Sequence, residues 1–418
     1  MSFARETPLA ELAQDRRRFR RLPELVDAPA TFRVALGIIA RNWTLGSVTF
    51  VLPSGRELVI GGRQPGPDAR LIVRDFRFMR RALATGDIGF AEGYMADEWD
   101  TPDLPDLLEA FAANWAKLRR VTKGNPLAWT LNRIRHALRG NSRQGARKNI
   151  HAHYDLGNAF YKRWLDPTMT YSSARYERPD QPLSEAQTAK YRALAEGMGL
   201  QAGQSVLEIG CGWGGFAEFA AREVGAKVTA ITISEEQFKF AKERMFAQGL
   251  NEQAEIRLVD YRDVEGRFDR IASIEMFEAV GERYWPAYFG KINEALTPGG
   301  RAGLQIITIR DEDFEEYRSR ADFIQKYIFP GGMLPSEARL RKVTDKLGLA
   351  WTGLARFGHD YADTLSEWHR NFDVAWKDIA PLGFDERFRK LWKFYLGYCE
   401  AGFRTERTNV VQLSLAKA

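Results

Sequence analysis

The chain has 418 residues, 44% hydrophobic and 28% charged, the balance of a folded globular protein and too apolar for a disordered one. Lys and Arg outnumber Asp and Glu by only 61 to 55. No apolar run approaches the ~20 residues that span a bilayer, Met1 to Arg21 lacks a signal-peptide core, and Cys211 and Cys399 form neither a disulfide framework nor a metal set. These features favour a cytoplasmic protein without a metal.

In chain order, residues 1–28 read as a polar arm with a basic cluster, Arg16 to Arg18, Arg20 and Arg21. Residues 29–118 read as a small α+β domain. Its strands are Ser47 to Leu52 and Leu71 to Arg74, with a turn-rich Gly61 to Arg70 between them. Its helices are Phe76 to Ala84 and Leu104 to Leu118. Residues 119–150 form a basic connector, for no acidic residue stands between Glu109 and Asp155. Leu131, Ile134 and Leu138 trace a short amphipathic helix inside it. Such basic blocks attract nucleic acid or an anionic membrane surface.

Residues 151–418 form a larger α/β domain. From Ser205 onward, five apolar runs alternate with helical stretches: Val206 to Ile209, Val228 to Thr232, Ile256 to Val259, Ile271 to Ile274 and Gly303 to Ile307. This pattern predicts a doubly wound, mostly parallel sheet covered by helices on both faces. Thr297 to Gly300 stops a helix, and beyond Asp311 the pattern is mainly helical and aromatic.

The first of these strands runs into Glu208-Ile-Gly210-Cys-Gly212-Trp-Gly214-Gly215. Glycines allow a sharp turn and close approach to a ligand, and in such sheets ligands lie at the carboxyl ends of the strands. The order is E-x-G-x-G-x-G, not the dinucleotide G-x-G-x-x-G, and no P-loop Lys is present. This is the pattern of class I S-adenosylmethionine (SAM) methyltransferases, in which a carboxylate at Glu208 receives the cationic methionine ammonium. Thr232 and Gln237 after the second strand, and Asp260, Tyr261 and Arg262 after the third, stand where ribose and adenine contacts are expected.

Further stretches carry a family resemblance: His153 to Gly157, Leu165 to Ala174, Met276-Phe-Glu-Ala-Val-Gly281, Tyr327-Ile-Phe-Pro-Gly-Gly332 and Gly397 to Arg404. Together with the glycine loop they resemble the cyclopropane fatty acid synthases and their mycolic acid methyltransferase relatives. Gly86 to Met95 is similar to the N-terminal domain of the longer bacterial members. The resemblance implies methyl transfer from SAM to a cis double bond of an unsaturated acyl chain in a phospholipid. It implies a carbocation, stabilised by aromatic faces and quenched by a base. It places Tyr171 and Ser172 beside the cofactor.

In the family the base is a bicarbonate ion. Its ligand positions fall on Glu278, Tyr327, Ser173 and Gln305, with a backbone contact near Ile307. Two of these depart from the family pattern, Ser173 standing for Cys and Gln305 for His, which weakens the expectation that bicarbonate binds. A third departure is Glu275, where typical cyclopropane synthases carry Gly. A carboxylate there can stabilise the cation or take its proton. Proton loss from the new methyl group closes a ring, whereas loss from a neighbouring chain carbon after a hydride shift leaves an open chain. Glu275, Gln305 and Ser173 tilt the expectation toward an open methylene- or methyl-branched product, with a true cyclopropane as the alternative.

His151, His153, His359 and His369 are assigned to packing or hydrogen bonding. A nucleic-acid methyltransferase is disfavoured, because MFEAVG stands where an Asn-Pro-Pro-Tyr motif is expected. The expected partner is unsaturated phospholipid at an anionic membrane surface, met by the basic arm and connector from the cytoplasmic side. The N-terminal domain leaves room for a homodimer.

Overall fold

Contacts divide the chain into two units, Met1–Trp129 with Glu386–Ala401, and Thr130–Asp385 with Gly402–Ala418. The computed structural model describes residues 28–118 and 156–417. The basic arm, the basic connector, His151 and His153 lie outside the described residues.

The first unit holds strands β1 (Leu45–Val51), β2 (Glu57–Gly61), β3 (Gln64–Val73) and β4 (Trp99–Asp100) in the order β2-β1-β3-β4. β1 is antiparallel to β2 and parallel to β3. Gln64 to Arg70, expected as a turn, belongs to β3. The two prolines, Pro65 and Pro67, cannot donate to a ladder, and the pairing accommodates them by a register shift between Leu45 and Ser47. Gly46 is required there: a Cβ on it would lie 1.9 Å from the Pro67 carbonyl oxygen.

The helix expected over Leu104 to Leu118 is divided at Asn114 into Leu104–Ala113 and Trp115–Leu118. Asn114 is buried because it serves the backbone. Its Oδ1 accepts from Thr44 N at 2.7 Å and Leu45 N at 2.9 Å, and its Nδ2 donates to Leu45 O and Ala110 O. Phe32, Phe50, Phe78 and Trp99, from different elements of this unit, are all essentially inaccessible and form its core. Phe394, from the helix Glu386–Arg404, completes this cluster 6.5 Å from Trp99. A segment distant in sequence thus belongs to the first unit's core.

The second unit is built on β5 (Ser205–Ile209), β6 (Lys227–Thr232), β7 (Ala254–Leu258), β8 (Phe268–Ile274), β9 (Leu296–Ile309), β10 (Leu349–Arg356) and β11 (Thr408–Lys417). Their order is β10-β11-β9-β8-β5-β6-β7. The five expected strands pair in parallel. β10 and β11 were not expected, and they add an antiparallel edge to β9. β11 is buried from Val410 to Leu415, and Val411-Gln-Leu-Ser-Leu415 carries the apolar–polar alternation of a strand, a signal set behind a long helical, aromatic stretch.

Helices Leu183–Gly197, Glu235–Ala247 and Trp285–Ala295 cover the sheet. Two buried clusters result, one centred on Ile271, Leu304 and Leu413 and one on Val206, Ala230 and Ala272. Strand order reverses between β5 and β8, which opens a crevice at their carboxyl ends. The glycine loop follows β5 and the Glu275–Glu278 turn follows β8, so both reach this crevice.

Candidate active site

The cofactor end is set by backbone conformation. Gly210, Gly212 and Gly214 have φ of 82°, 53° and 84°, values that side chains with a Cβ resist. At Gly210 a Cβ would also meet Met276 Cγ at 2.6 Å, whereas at Gly212 it meets nothing within 4 Å. Gly210→Ala is therefore expected to cost about 1–3 kcal/mol of stability from strain and overpacking. Gly212→Ala should cost less, since only its φ is wrong. Thermal denaturation of the two variants without cofactor checks the order.

Glu208 ends β5 with 2% of its surface exposed. Its Oε2 has no hydrogen-bond partner among the described residues. Burial pushes its carboxyl up to about 8, against the pull of Arg244, Lys190 and the Ala217 N–H. A buried carboxyl with a vacant acceptor suits a cation such as an ammonium. Thr232 donates to Gln237 Oε1 at 2.8 Å, and both are buried. Asp260 is gripped by its neighbour: Arg262 Nε and Nη2 donate to its two oxygens at 2.8 and 2.6 Å. The same guanidinium lies 5.4 Å from the Tyr261 ring centroid.

The second end of the site is built around Glu275. Its φ is 49°, a left-handed conformation costing roughly 1–2 kcal/mol in a residue with a Cβ. The carboxylate is fully held. Oε1 accepts from Ser173 N and from Gln305 Nε2, each at 2.8 Å, and Oε2 accepts from Tyr361 Oη at 2.7 Å. Gln305 is itself aimed by Gln412, whose Nε2 donates to Gln305 Oε1 at 3.1 Å. Burial raises the Glu275 carboxyl, while Gln305, Lys190, Tyr361 and the Ser173 N–H pull it down.

Glu278 sits one 3-10 turn on. Its Oε1 accepts from Ile307 N, and its Oε2 has no partner among the described residues. Burial and the nearby Glu275 charge push it up to about 8. Two adjacent carboxyls do not both ionise readily at neutral pH. Glu275 has three donors to its carboxylate and Glu278 one, so the donor set favours negative charge on Glu275 over Glu278.

Aromatic rings pack beside this centre. Tyr171 has Tyr161, Trp164 and Trp368 within 5.3–5.6 Å, centroid to centroid. Trp368 in turn stands edge-on to Tyr361 at 6.1 Å. Such ring faces attract a cation.

The site residues expected from sequence are placed as follows. Glu275, Gln305 and Ser173 meet, with one difference. Ser173 offers Glu275 its backbone N–H, while its hydroxyl donates to Ala174 O at 2.8 Å. Ser172 Oγ instead receives the Lys190 ammonium at 2.6 Å. Tyr327 ends the short helix Phe323–Tyr327, its ring 5.6 Å from Phe323. The loop after it joins Glu278 through the backbone, Met333 N donating to Glu278 O at 2.8 Å. Tyr361 and Lys190 were missed. Tyr361 and Thr364 interrupt the buried apolar stripe of helix Gly358–Ile379 with hydroxyls. Polar groups on a buried face were the available signal. Lys190 likewise stands buried among Ala186, Ala189 and Leu194.

Known proteins resemble this chain over most of its length. Residues 141–413 match the family described as mycolic acid cyclopropane synthetase. The chain is 37% identical to tuberculostearic acid methyltransferase UfaA1 of Mycobacterium tuberculosis, over 99% of this chain and 98% of that one. It is 35% identical to cyclopropane-fatty-acyl-phospholipid synthase of Escherichia coli K12, over 88% and 92%. Among solved structures, mycolic acid cyclopropane synthase CmaA1 complexed with SAH and CTAB matches with a TM-score of 0.61 and 30% identity. It covers 65% of this chain and 98% of its own. The cyclopropane synthase MmaA2 of Mycobacterium tuberculosis matches with the same TM-score at 29% identity. The glycine loop, the buried Glu208 and the MFEAVG turn are thus parts of a SAM-dependent methyltransferase that acts on lipids, and the chain belongs to the mycolic acid cyclopropane synthetase family.

Proposed function

We propose that this enzyme methylates the cis double bond of an unsaturated acyl chain in a membrane phospholipid, and that Glu275 is its built-in base. The observation that carries this reading is the Glu275 carboxylate, bound by Ser173 N, Gln305 Nε2 and Tyr361 Oη. A strained left-handed residue that three donors hold in place is characteristic of a functional position.

SAM fits the cofactor end, where Glu208 would receive its ammonium and the glycine loop would lie along it; when bound, it supplies an electrophilic methyl group. Attack of the alkene π pair on that methyl group, with the sulfur as leaving group, would place positive charge on the adjacent chain carbon. The rings of Tyr171, Trp368 and Tyr361 pack beside the Glu275 centre, where aromatic side chains stabilise such a charge. Burial keeps water from capturing it as an alcohol. The Glu275 carboxylate then takes one proton, and the neutral Glu278 does not compete for it. After a hydride shift, proton loss leaves an open branched alkene. It is methylene-branched if the proton comes from the new carbon and methyl-branched if it comes from a neighbouring chain carbon.

Bicarbonate does not fit this site. The donors that would hold an anion are taken by Glu275, and a second anion there would meet like charge. No step is assigned to it.

Among the described residues, no helix is long and apolar enough to cross a membrane. The basic segments 1–28 and 119–150 suit contact with anionic lipid from the cytoplasmic side, at about 1 kcal/mol per Lys or Arg near the surface. That contact is screened as salt rises.

The test is purified enzyme with labelled SAM and anionic vesicles of monounsaturated phospholipid. Both candidate products gain one CH2, so mass alone does not separate them. Proton NMR does, by ring or vinyl signals. A branched alkene is expected, a dominant cyclopropane would overturn the role given to Glu275, and unmethylated chains would overturn the substrate. In the same vesicles, co-sedimentation is expected to fall as salt is raised.

A further inference from the structure

One buried titratable group is not used by the mechanism above. Lys190 lies on helix Leu183–Gly197 and is completely inaccessible. Its Nζ donates to Ser172 Oγ at 2.6 Å and stands 4.5 Å from the Tyr191 ring centroid. Its backbone carbonyl accepts from Gln412 Nε2 at 3.0 Å, and the same Nε2 donates to Gln305 Oε1, whose amide holds Glu275. Ser172 is also anchored from this helix, Gln187 Nε2 donating to its carbonyl at 3.0 Å. The residue after Ser172 is Ser173, whose N–H holds Glu275. Two arms of the Glu275 cradle, the Ser173 N–H and the Gln305 amide, thus both trace back to Lys190.

A fully buried ammonium costs several kcal/mol unless opposite charge faces it. The charged and titratable groups facing Lys190 come from several elements. Glu275 is the strongest, followed by Asp166 and by Glu208 at the end of β5. Glu275 in turn faces Tyr361, and Glu278 in its own turn feels its charge. Glu208 also faces Arg244 from helix Glu235–Ala247. Near Glu275, Lys190 is the cation that favours its ionised form.

We propose that Lys190 is a positioning residue for the base: its buried ammonium fixes the Ser172–Ser173 backbone against Glu275 and keeps that carboxylate charged and ready to accept a proton. The inference rests on the reading of Glu275 as the base. Desolvation brings Lys190 itself down to about 7, so the support is present below that pH and fades above it.

The experiment is a pH profile of labelled-methyl transfer from SAM to anionic monounsaturated vesicles, with kcat and KM separated, for wild type, Lys190→Met and Glu275→Gln. Activity needs ionised Glu275, so the wild-type rate rises with pH through an acid limb. Removing the cation raises the carboxyl, so in Lys190→Met the limb moves to higher pH by about one unit, roughly tenfold in kcat on the acid side. The curves converge more than about one unit above the Lys190 value. KM for lipid should stay within about twofold while kcat moves.

A purely structural Lys190 would lower kcat equally at every pH and leave the limb in place, which overturns the proposal. Glu275→Gln separates the two readings. If it abolishes the limb but Lys190→Met leaves it unmoved, only the role of Lys190 fails. If the limb survives in Glu275→Gln, the base assignment fails and this inference fails with it. Should Lys190→Met not fold, Lys190→Gln removes the charge while keeping a polar side chain, and the same shift of the limb to higher pH is expected; an unmoved limb would overturn the proposal.

Discussion

Glu275→Gly is expected to lose about 10²–10⁴-fold in methyl-transfer kcat in bicarbonate-free buffer, the usual contribution of a general base. The fold should survive, because glycine relieves the strain of the φ of 49° at this position. The variant leaves Ser173 N, Gln305 Nε2 and Tyr361 Oη without their acceptor. Buried donors left open attract an anion of matching size. Added bicarbonate should therefore restore part of the rate in Glu275→Gly. It should do little in Glu275→Gln, where the side chain still fills the space. The restored product should shift toward cyclopropane, since an ion not tethered to this backbone position can reach the new methyl group from elsewhere. NMR of the extracted lipids and initial rates with and without bicarbonate measure both effects. A Glu275→Gly enzyme with wild-type rate and unchanged product would remove the carboxylate from the chemistry.

Glu208→Gln should weaken SAM binding by about 30-fold or more, since a buried charge-assisted contact is lost (about 2–4 kcal/mol). The pH dependence carries the sharper signature. Without cofactor the Glu208 carboxyl is raised by burial to about 8, so the protonated form predominates at neutral pH. Binding a cationic ammonium favours the carboxylate, so binding releases a proton and affinity rises with pH up to about that value. Above it the cofactor's own α-amino group, with a reference pKa near ~7.8, loses its charge and affinity falls again. Wild type should give a bell with its maximum near the crossing. Glu208→Gln should keep the falling limb and lose the rising one. Isothermal titration in two buffers of different ionisation enthalpy counts the proton directly. Equal proton release by both proteins would sink the assignment.

The same carboxyl bears on stability. A buried acid whose folded pKa is raised favours the folded state at low pH, and that contribution is lost as pH rises from the unfolded value of about 4.5 through the folded one. Glu208 and Glu278, both raised to about 8, thus weaken the apoenzyme as pH climbs toward that value. Cofactor binding offsets the Glu208 share.

Much of this protein is legible because its demands are local. The glycine loop needs positive φ at Gly210, Gly212 and Gly214, and only glycine meets that need cheaply, so spacing alone reveals it. Strands β5, β6, β8 and β9 are largely buried and read as apolar runs between helices, while the edge strand β7 alternates buried and exposed residues. The Glu275–Glu278 turn follows one of those runs, where such sheets collect functional groups. Pro65 and Pro67, by contrast, look like a turn until a neighbouring strand supplies the bulge that accommodates them. β11 alternates from Val411 to Leu415, but it follows a long helical stretch, and only its place between β9 and β10 makes it a strand of this sheet.

What chemistry Glu275 can do was not written in its neighbourhood. Its partners Gln305, Tyr361 and Ser173 stand 30, 86 and 102 positions away, on a strand, a helix and a loop. Whether a carboxyl is a base or a neutral acid depends on desolvation and on donors, and both arise only when distant segments pack together. Residue type and spacing therefore announce a methyl-transfer site. The charge on Glu275, the proton on Glu278 and the anchoring role of Lys190 that we propose rest on donors and burial contributed by distant segments, which no local pattern encodes.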